Sequence, residues 1–159
     1  MLVERIEGKW IDCFAEVFSL CGIQPGEVAA VLSETQSRRV NVELAKLALQ
    51  RLGAQVFEVM LTTPPLAVPI PVRSTGSSDA IRRIGPVVSS LAQAGFVADL
   101  TVEGLMHAPE LPDILQGGAR VLYVSNEHPE ILERLMPVPA DEGVVKAAMK
   151  RLRGAKAMR

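Results

Sequence analysis

The chain contains 159 residues, 48% of them hydrophobic, and its 17 Lys and Arg residues nearly balance its 18 Asp and Glu residues. This length fits one domain with a hydrophobic core, and the net charge of -1 gives no electrostatic attraction to nucleic acid. No apolar run approaches the roughly 18 residues of a membrane span, and the N-terminus lacks a signal-peptide pattern. We therefore expect a single cytoplasmic domain over residues 1–159 that binds neither nucleic acid nor membranes.

The first half of the chain alternates between helical and strand periodicities. Apolar residues over positions 2–20 recur at helical spacing and predict a helix that ends at Gly22. Residues 28–33 (VAAVLS) form a short apolar run between turn residues, which is typical of a buried parallel strand. A second helix over residues 39–52 and a second strand over Gln55–Leu61 follow.

Residues 62–79 differ from the rest, because they contain four prolines followed by Ser, Thr and Gly. Such a segment is neither helix nor central strand. Long loops in compact domains are usually functional or mobile, and a disordered surface excursion is the alternative for this one.

The second half repeats the same alternation. Residues 81–94 have helical spacing, with Pro86 near the first turn, where its missing N–H is tolerated. The remaining predicted elements are a strand over 96–102, a helix over 111–115, a strand over 120–124, and helices over 129–135 and 141–153.

Strands separated by helices predict an α/β fold with right-handed crossovers. We expect an open, doubly wound, Rossmann-like domain with a mostly parallel four-stranded sheet in the order 2-1-3-4 and helices on both faces. In such sheets ligands bind where the strand order reverses. The crevice between the carboxyl ends of the first and third strands is thus the expected site.

Polar side chains follow every predicted strand at this edge. Any strand that leaves a core must meet water, so the pattern alone favours a site over plain loops only weakly. The residues concerned are Ser33, Glu34, Thr35, Gln36, Thr62, Thr63, Glu103, His107, Ser125, Asn126, Glu127 and His128.

Several common site motifs are absent from the sequence. The first strand runs into SETQSRR without a glycine for a pyrophosphate, and neither a P-loop nor a G-x-S-x-G elbow occurs. Cys13 and Cys21 are eight positions apart, too far for a metal knuckle, and are predicted to be buried, reduced thiols.

His107 is the candidate catalytic residue. It follows the apolar stretch FVADL, and an imidazole at a cleft can exchange a proton with a substrate hydroxyl near neutral pH. Leu105 and Met106 would form an apolar wall suited to a flat ring. The alternative is a surface histidine that caps the short helix beginning near Pro109.

His128 precedes Pro129 at a predicted helix start, so a capping role is favoured for it as well. The two histidines could also converge with Glu34, Glu103 or Glu127 into a two-His-one-carboxylate iron site. Residue type is the only support for that arrangement.

The stretches RLGAQVFEV, LMHAPELPDIL, GGARVLYVSNEHPEILERLMP and EGVVKAAMKRLRGAKAMR occur in the order seen in a known family. From about residue 10 onward the chain resembles the N-terminal half of 2,5-dihydroxypyridine 5,6-dioxygenases, iron-dependent ring-opening enzymes of nicotinate degradation. It is more remotely similar to aminopeptidase T-type metallopeptidases. The resemblance implies that His107 acts as an acid/base group over the substrate ring, with Leu105 and Met106 as substrate-binding neighbours.

The resemblance also implies that the Fe(II) ligands, two His and one Asp, belong to a C-terminal domain beyond Arg159. This chain would then be the N-terminal half of a two-domain homo-oligomer, would bind no metal itself, and would be inactive alone. Its implied partners are a small aromatic substrate and the C-terminal catalytic domain. The alternatives are the N-terminal domain of an aminopeptidase T-like peptidase, or a stand-alone α/β module that binds a partner or oligomerises without catalysis.

Overall fold

The computed structural model describes residues 4–65, 76–155 and 157. No helix in this part of the chain is long and apolar enough to cross a membrane. The elements are α1 (Gly8–Leu20), β1 (Val28–Glu34), α2 (Arg39–Arg51), β2 (Gln55–Leu61), α3 (Gly85–Ala92), β3 (Phe96–Leu100), α4 (Leu111–Gln116), β4 (Arg120–Tyr123), α5 (Pro129–Arg134), a 3-10 turn (Pro139–Asp141) and α6 (Glu142–Gly154).

The four strands form one parallel sheet in the order β2-β1-β3-β4. The predicted fold class and strand order are therefore confirmed. In the register of the two central strands, Ala29 lies opposite Phe96 and Leu32 lies opposite Asp99. Both central strands consequently end at the same edge, where the switch in strand order opens a crevice.

Side-chain alternation along the central strands builds two cores, one on each face of the sheet. Ala29 and Val31 belong to the cluster that contains residues of α1 and α2. Ala30 and Leu32 belong to the other, with Leu91 of α3 and residues of α4. Helices thus cover both faces, as expected for a doubly wound sheet.

Two predicted helix starts are wrong. The helix predicted over residues 2–20 begins at Gly8, because Glu7 has an extended backbone, and residues 1–3 lie outside the described part of the chain. The helix predicted over 81–94 spans Gly85–Ala92. Arg83 has a left-handed φ of 61°, which interrupts the helical path, and Pro86 then sits in the first turn.

The third strand was predicted over 96–102 but ends at Leu100. The reason is local, because the Asp99 carboxylate accepts the N–H of Thr101 at 3.0 Å and turns the chain out of the sheet. The other predicted elements agree with the structure to within one residue at each end.

The proline-rich segment is described only at its ends. Residues 62–65 and 76–79 form neither helix nor strand, as predicted for a loop. Residues 66–75, which include Pro69 and Pro71, lie outside the described residues.

The cysteines were predicted to be buried, and this is wrong in degree. Cys13 and Cys21 are free thiols of intermediate exposure. Cys13 lines an apolar groove beside Phe14 and Leu132, where the residue is partly exposed. Burial nevertheless raises the pKa of both thiols, which makes them poor nucleophiles.

Candidate active site at the carboxyl edge of the sheet

His107 lies on the turn that follows β3, and its side chain is exposed. Its backbone N–H donates to the carbonyl oxygen of Gly76. Gly76 has a left-handed φ of 71°, and a Cβ atom added there would lie 3.0 Å from His107 Cδ2. Glycine at this position therefore lets the imidazole lie close against the backbone.

Residues 76–78, the last part of the proline-rich segment, run alongside this turn. The Gly76 N–H donates to Glu103 O at 2.8 Å, and the Ser78 N–H donates to Gly104 O at 2.7 Å. Together with the bond from His107, these contacts make one hydrogen-bonded unit of residues 76–78 and 101–107, which we call the histidine turn.

Asp99 lies beneath the histidine turn and is fully buried. Its Oδ1 accepts the Thr101 hydroxyl at 2.6 Å and the Thr101 N–H, and its Oδ2 accepts the Leu105 N–H at 2.8 Å. Burial, with a smaller contribution from the nearby charge of Glu34, raises the pKa of Asp99 to about 6 despite these hydrogen bonds.

Glu34, the last residue of β1, is also buried, with 1% of its surface exposed. Its Oε1 accepts the Ser78 hydroxyl at 2.6 Å and the Val102 N–H at 3.3 Å. Leu32 lies opposite Asp99 in the neighbouring strand, so the two side chains point to the same face of the sheet. Glu34 follows Leu32 by two residues, and strand alternation therefore directs Glu34 to this face as well. Two buried carboxylates thus support the turn from adjacent strands.

The two predicted neighbours of His107 differ in their surroundings. Leu105 is 1% exposed and belongs to the core beneath α3 and α4. Met106 is 67% exposed beside the histidine. The apolar surface next to His107 is consequently that of Met106, while Leu105 anchors the turn in the core.

A polar cleft of about 310 Å³ opens on the other side of the same edge. Arg38, at the start of α2, donates its N–H to Asn126 Oδ1 at 2.6 Å and its Nε–H to Asn126 O at 3.2 Å. Tyr123 lies between the cleft and the histidine turn, because it lines the cleft, packs against Gly104 and donates its hydroxyl to Val102 O. Of the predicted rim residues, Gln36, Ser125, Asn126 and Glu127 line this cleft, Glu103 and His107 belong to the histidine turn, and His128 lies apart beside Trp10.

The capping alternative is confirmed for His128 and not found for His107. Nδ1 of His128 accepts the Glu130 N–H at the start of α5, at 3.2 Å, and its ring packs edge-on against Trp10. The N-cap of α4 is Glu110, and no side chain caps it. His107 therefore does not cap α4.

Sequence reasoning missed Asp99, Ser78 and Arg38 as members of this edge. Asp99 had a detectable signal, since a carboxylate inside the apolar run FVADL must find buried donors. Ser78 had none, because its partner Glu34 lies 44 positions away in the sequence.

The family model for 2,5-dihydroxypyridine 5,6-dioxygenases matches residues 9–159. The chain belongs to this family. The resemblance drawn from its sequence is thereby confirmed, whereas the remoter likeness to aminopeptidase T stays a prediction.

Among individual members of the dioxygenase family, the chain is 31% identical over 147 residues to 2,5-dihydroxypyridine 5,6-dioxygenase of Pseudomonas putida. That match covers 91% of this chain but 41% of the relative. The solved structure of the Pseudomonas putida enzyme superposes with a TM-score of 0.81 and 29% identity, over 92% of this chain and 42% of that one. The chain thus spans about two fifths of the length of its relative.

A weaker likeness is found to NpsA of Klebsiella oxytoca in complex with 3-hydroxyanthranilyl-AMSN. It has a TM-score of 0.48 and 19% identity, and covers 81% of this chain and 20% of that one. A match at this level does not bear on function.

The name of the family raises the question of a metal. Within residues 4–65, 76–155 and 157, no three His, Cys, Asp or Glu side chains lie close enough together to hold a metal ion. The iron site considered from His107, His128 and a glutamate is not assembled there. The described residues accordingly do not fit an Fe(II) centre.

Proposed function

We propose that this chain is the substrate-covering domain of a cytoplasmic, ring-cleaving dioxygenase that acts on a hydroxylated pyridine. Membership of the 2,5-dihydroxypyridine 5,6-dioxygenase family supports the reaction class. The observation that carries the proposal is His107, an exposed imidazole whose backbone is fixed at the carboxyl edge of the sheet. Sites in open α/β folds are found at this edge.

In this proposal the His107 imidazole takes a proton from a ring hydroxyl and returns it later in the reaction. A general acid/base group needs a fixed position as well as access to solvent or substrate. The hydrogen bond from His107 N–H to Gly76 O fixes the position of the residue, and the exposure of its side chain gives access to substrate.

The apolar face of a pyridine ring would lie against Met106. Its exposed side chain is next to His107, and a flexible thioether adapts well to an aromatic ring. Leu105, the other predicted substrate-binding residue, would act from the core by holding the turn in place.

In this proposal Fe(II) is held by a region other than these 159 residues, so the chain should bind no iron tightly and should not turn over substrate alone. Calorimetric titration of the chain with Fe(II) under anaerobic conditions tests this. Stoichiometric, tight binding would contradict the assignment of the metal to another region.

The activity itself can be tested in a chimera in which residues 9–159 replace the matching part of the Pseudomonas putida dioxygenase. With Fe(II) present, we expect it to consume 2,5-dihydroxypyridine and O₂ in equal amounts, as measured by ultraviolet absorbance and an oxygen electrode. A chimera that is folded by circular dichroism and loaded with iron, yet inactive toward this and related hydroxypyridines, would refute the proposal.

One observation favours a second candidate function, that of a non-catalytic module that associates with copies of itself. Val145, Met149 and Leu152 are each about half exposed on α6 and recur at the spacing of one helix face. Sedimentation of the chain and of its Leu152→Glu variant tests this candidate. A concentration-dependent oligomer that the variant abolishes, together with an inactive chimera, would support it, whereas a monomer in both would exclude it.

A further inference from the structure

The histidine turn rests on two carboxylates for which the proposed chemistry has no direct use. Asp99 and Glu34 are buried at adjacent strand ends, and neither belongs to the exposed surface around His107. Burying two acidic groups side by side is unfavourable unless hydrogen bonds compensate for the lost hydration. The hydrogen bonds that Asp99 and Glu34 accept therefore indicate which parts of the chain the two carboxylates hold in place.

We propose that Asp99 is the positioning residue of His107, and that Glu34 supports the same turn through Ser78. The inference deepens the proposed function and rests on it for its catalytic consequence, but the positioning itself can be measured without activity. Neither residue is proposed to touch substrate.

Asp99 acts from inside the turn. Three donors converge on its two oxygens, namely the N–H and hydroxyl of Thr101 and the N–H of Leu105. The Thr101 oxygen in turn accepts the Gly104 N–H at 3.1 Å. These bonds fix the backbone from the end of β3 to Leu105, two residues before His107.

Glu34 acts from the other side of the turn. Its Oε1 joins Ser78 to Val102, and thereby connects the segment that carries Gly76 to the start of the turn. Because Gly76 accepts the His107 N–H, a displacement of residues 76–78 would release the histidine backbone. The two carboxylates thus hold both segments of the hydrogen-bonded unit, residues 76–78 and residues 101–107.

The chemistry of the two groups predicts different responses to removing charge. In Asp99→Asn one of the two acceptor positions becomes an amide donor, which must face either Thr101 or Leu105. In Glu34→Gln the amide can keep its carbonyl oxygen at the position of Oε1, so both bonds survive. Asp99→Asn should therefore disturb His107, and Glu34→Gln serves as the matched control.

Nuclear magnetic resonance of the 159-residue chain provides the test. The chain has two histidines, and His128 at the start of α5 is an internal reference. In Asp99→Asn we expect the His107 imidazole signals to move, those of His128 to stay, and the Leu105 and His107 amides to exchange about tenfold to 100-fold faster, as for the loss of one buried hydrogen bond. Unchanged His107 signals and exchange rates in a folded Asp99→Asn variant would overturn the proposal.

A second pair of variants keeps the proposal falsifiable if Asp99→Asn does not fold. Thr101→Val removes the hydroxyl between Asp99 and Gly104, while Thr101→Ser retains it. We expect the valine variant to reproduce the shift of His107 and the serine variant to restore the wild-type spectrum. Identical His107 signals in both variants would overturn the proposal equally.

Activity of the chimera separates this inference from the proposed function. If both hold, Asp99→Asn lowers kcat by about 10²-fold with little change in KM, the effect of a misplaced catalytic group, and His128→Asn, at the start of α5 outside the histidine turn, does not. A displaced His107 with unchanged kcat would refute the catalytic role of His107 and leave the positioning intact. Lost activity with an undisturbed His107 would refute the positioning.

Discussion

The buried Asp99 carboxyl predicts a distinctive dependence of stability on pH. Burial raises its pKa from an ordinary value of 3.8 to about 6 in the folded chain. At pH values between 3.8 and about 6, Asp99 keeps its proton in the folded state and has lost it in the unfolded state. The contribution of Asp99 to the free energy of unfolding is consequently greatest below pH 4 and is lost as pH rises through 6.

The size of the effect follows from the shift. A rise of about two units corresponds to about 3 kcal/mol of unfolding free energy. Because Asp99 is fully buried, solvent screening does not reduce this value as it would for a surface carboxylate. The charge of Glu34 contributes to the shift, so Glu34→Gln should make the dependence smaller.

Urea unfolding of the wild-type chain and of Asp99→Asn, followed by Trp10 fluorescence at pH 4, 5, 6 and 7, measures the effect. The difference in unfolding free energy between the two proteins isolates Asp99, since the other titrating groups are shared. We expect the wild-type advantage in unfolding free energy to fall by about 2–2.5 kcal/mol from pH 4 to pH 7, because at pH 4 part of the unfolded carboxyl is already ionised. A difference that stays constant, or that grows with pH, would refute the reasoning.

Two further predictions concern the packing of the sheet and its helices. A Cβ atom at Gly117 would lie 2.3 Å from Ala92 O, whereas one at Gly118 would meet nothing within 4 Å. Gly117→Ala should therefore destabilise the chain by about 3 kcal/mol, as expected for overpacking. Gly118→Ala should destabilise it by about 1 kcal/mol, because Gly118 has a left-handed φ of 96° that alanine adopts at a cost. Equal losses of stability in thermal unfolding of the two variants would contradict this. The Arg120 side chain donates hydrogen bonds to Cys21 O, Gly22 O and Gly95 O. Arg120→Met should therefore lower the free energy of unfolding by about 1–3 kcal/mol. A melting temperature equal to that of the wild type would show that these bonds are dispensable.

Much of the fold could be predicted from the sequence because its signals are local. The buried strands read as continuous apolar runs, and Gly22 and Gly53, both with left-handed φ, follow helices where glycine is favoured. Strand order followed from the general preference of doubly wound sheets. The predicted start of α3 and the predicted end of β3 were wrong because each is set by a single residue, Arg83 and Asp99 respectively.

The candidate site was only partly predictable. His107 could be placed at the edge of the sheet, because its position follows directly from the preceding strand. The contact of its backbone with Gly76 joins segments that are distant in the sequence, and no periodicity reports such a pairing. The sequence predicts Leu105 as part of a pocket wall, because it is apolar and adjacent to His107. Apolar character is equally typical of a core residue, and Leu105 lies in the core.

The central claim, that His107 is the acid/base group of a pyridine-cleaving enzyme, is tested most directly by the kcat of the chimera carrying His107→Ala. The matched control is His128→Asn, which replaces the other histidine and keeps a good helix cap. We predict that kcat for 2,5-dihydroxypyridine falls by about 10²-fold or more in His107→Ala and stays close to wild type in His128→Asn. An unchanged kcat in His107→Ala, with iron bound and the fold intact, would contradict the account.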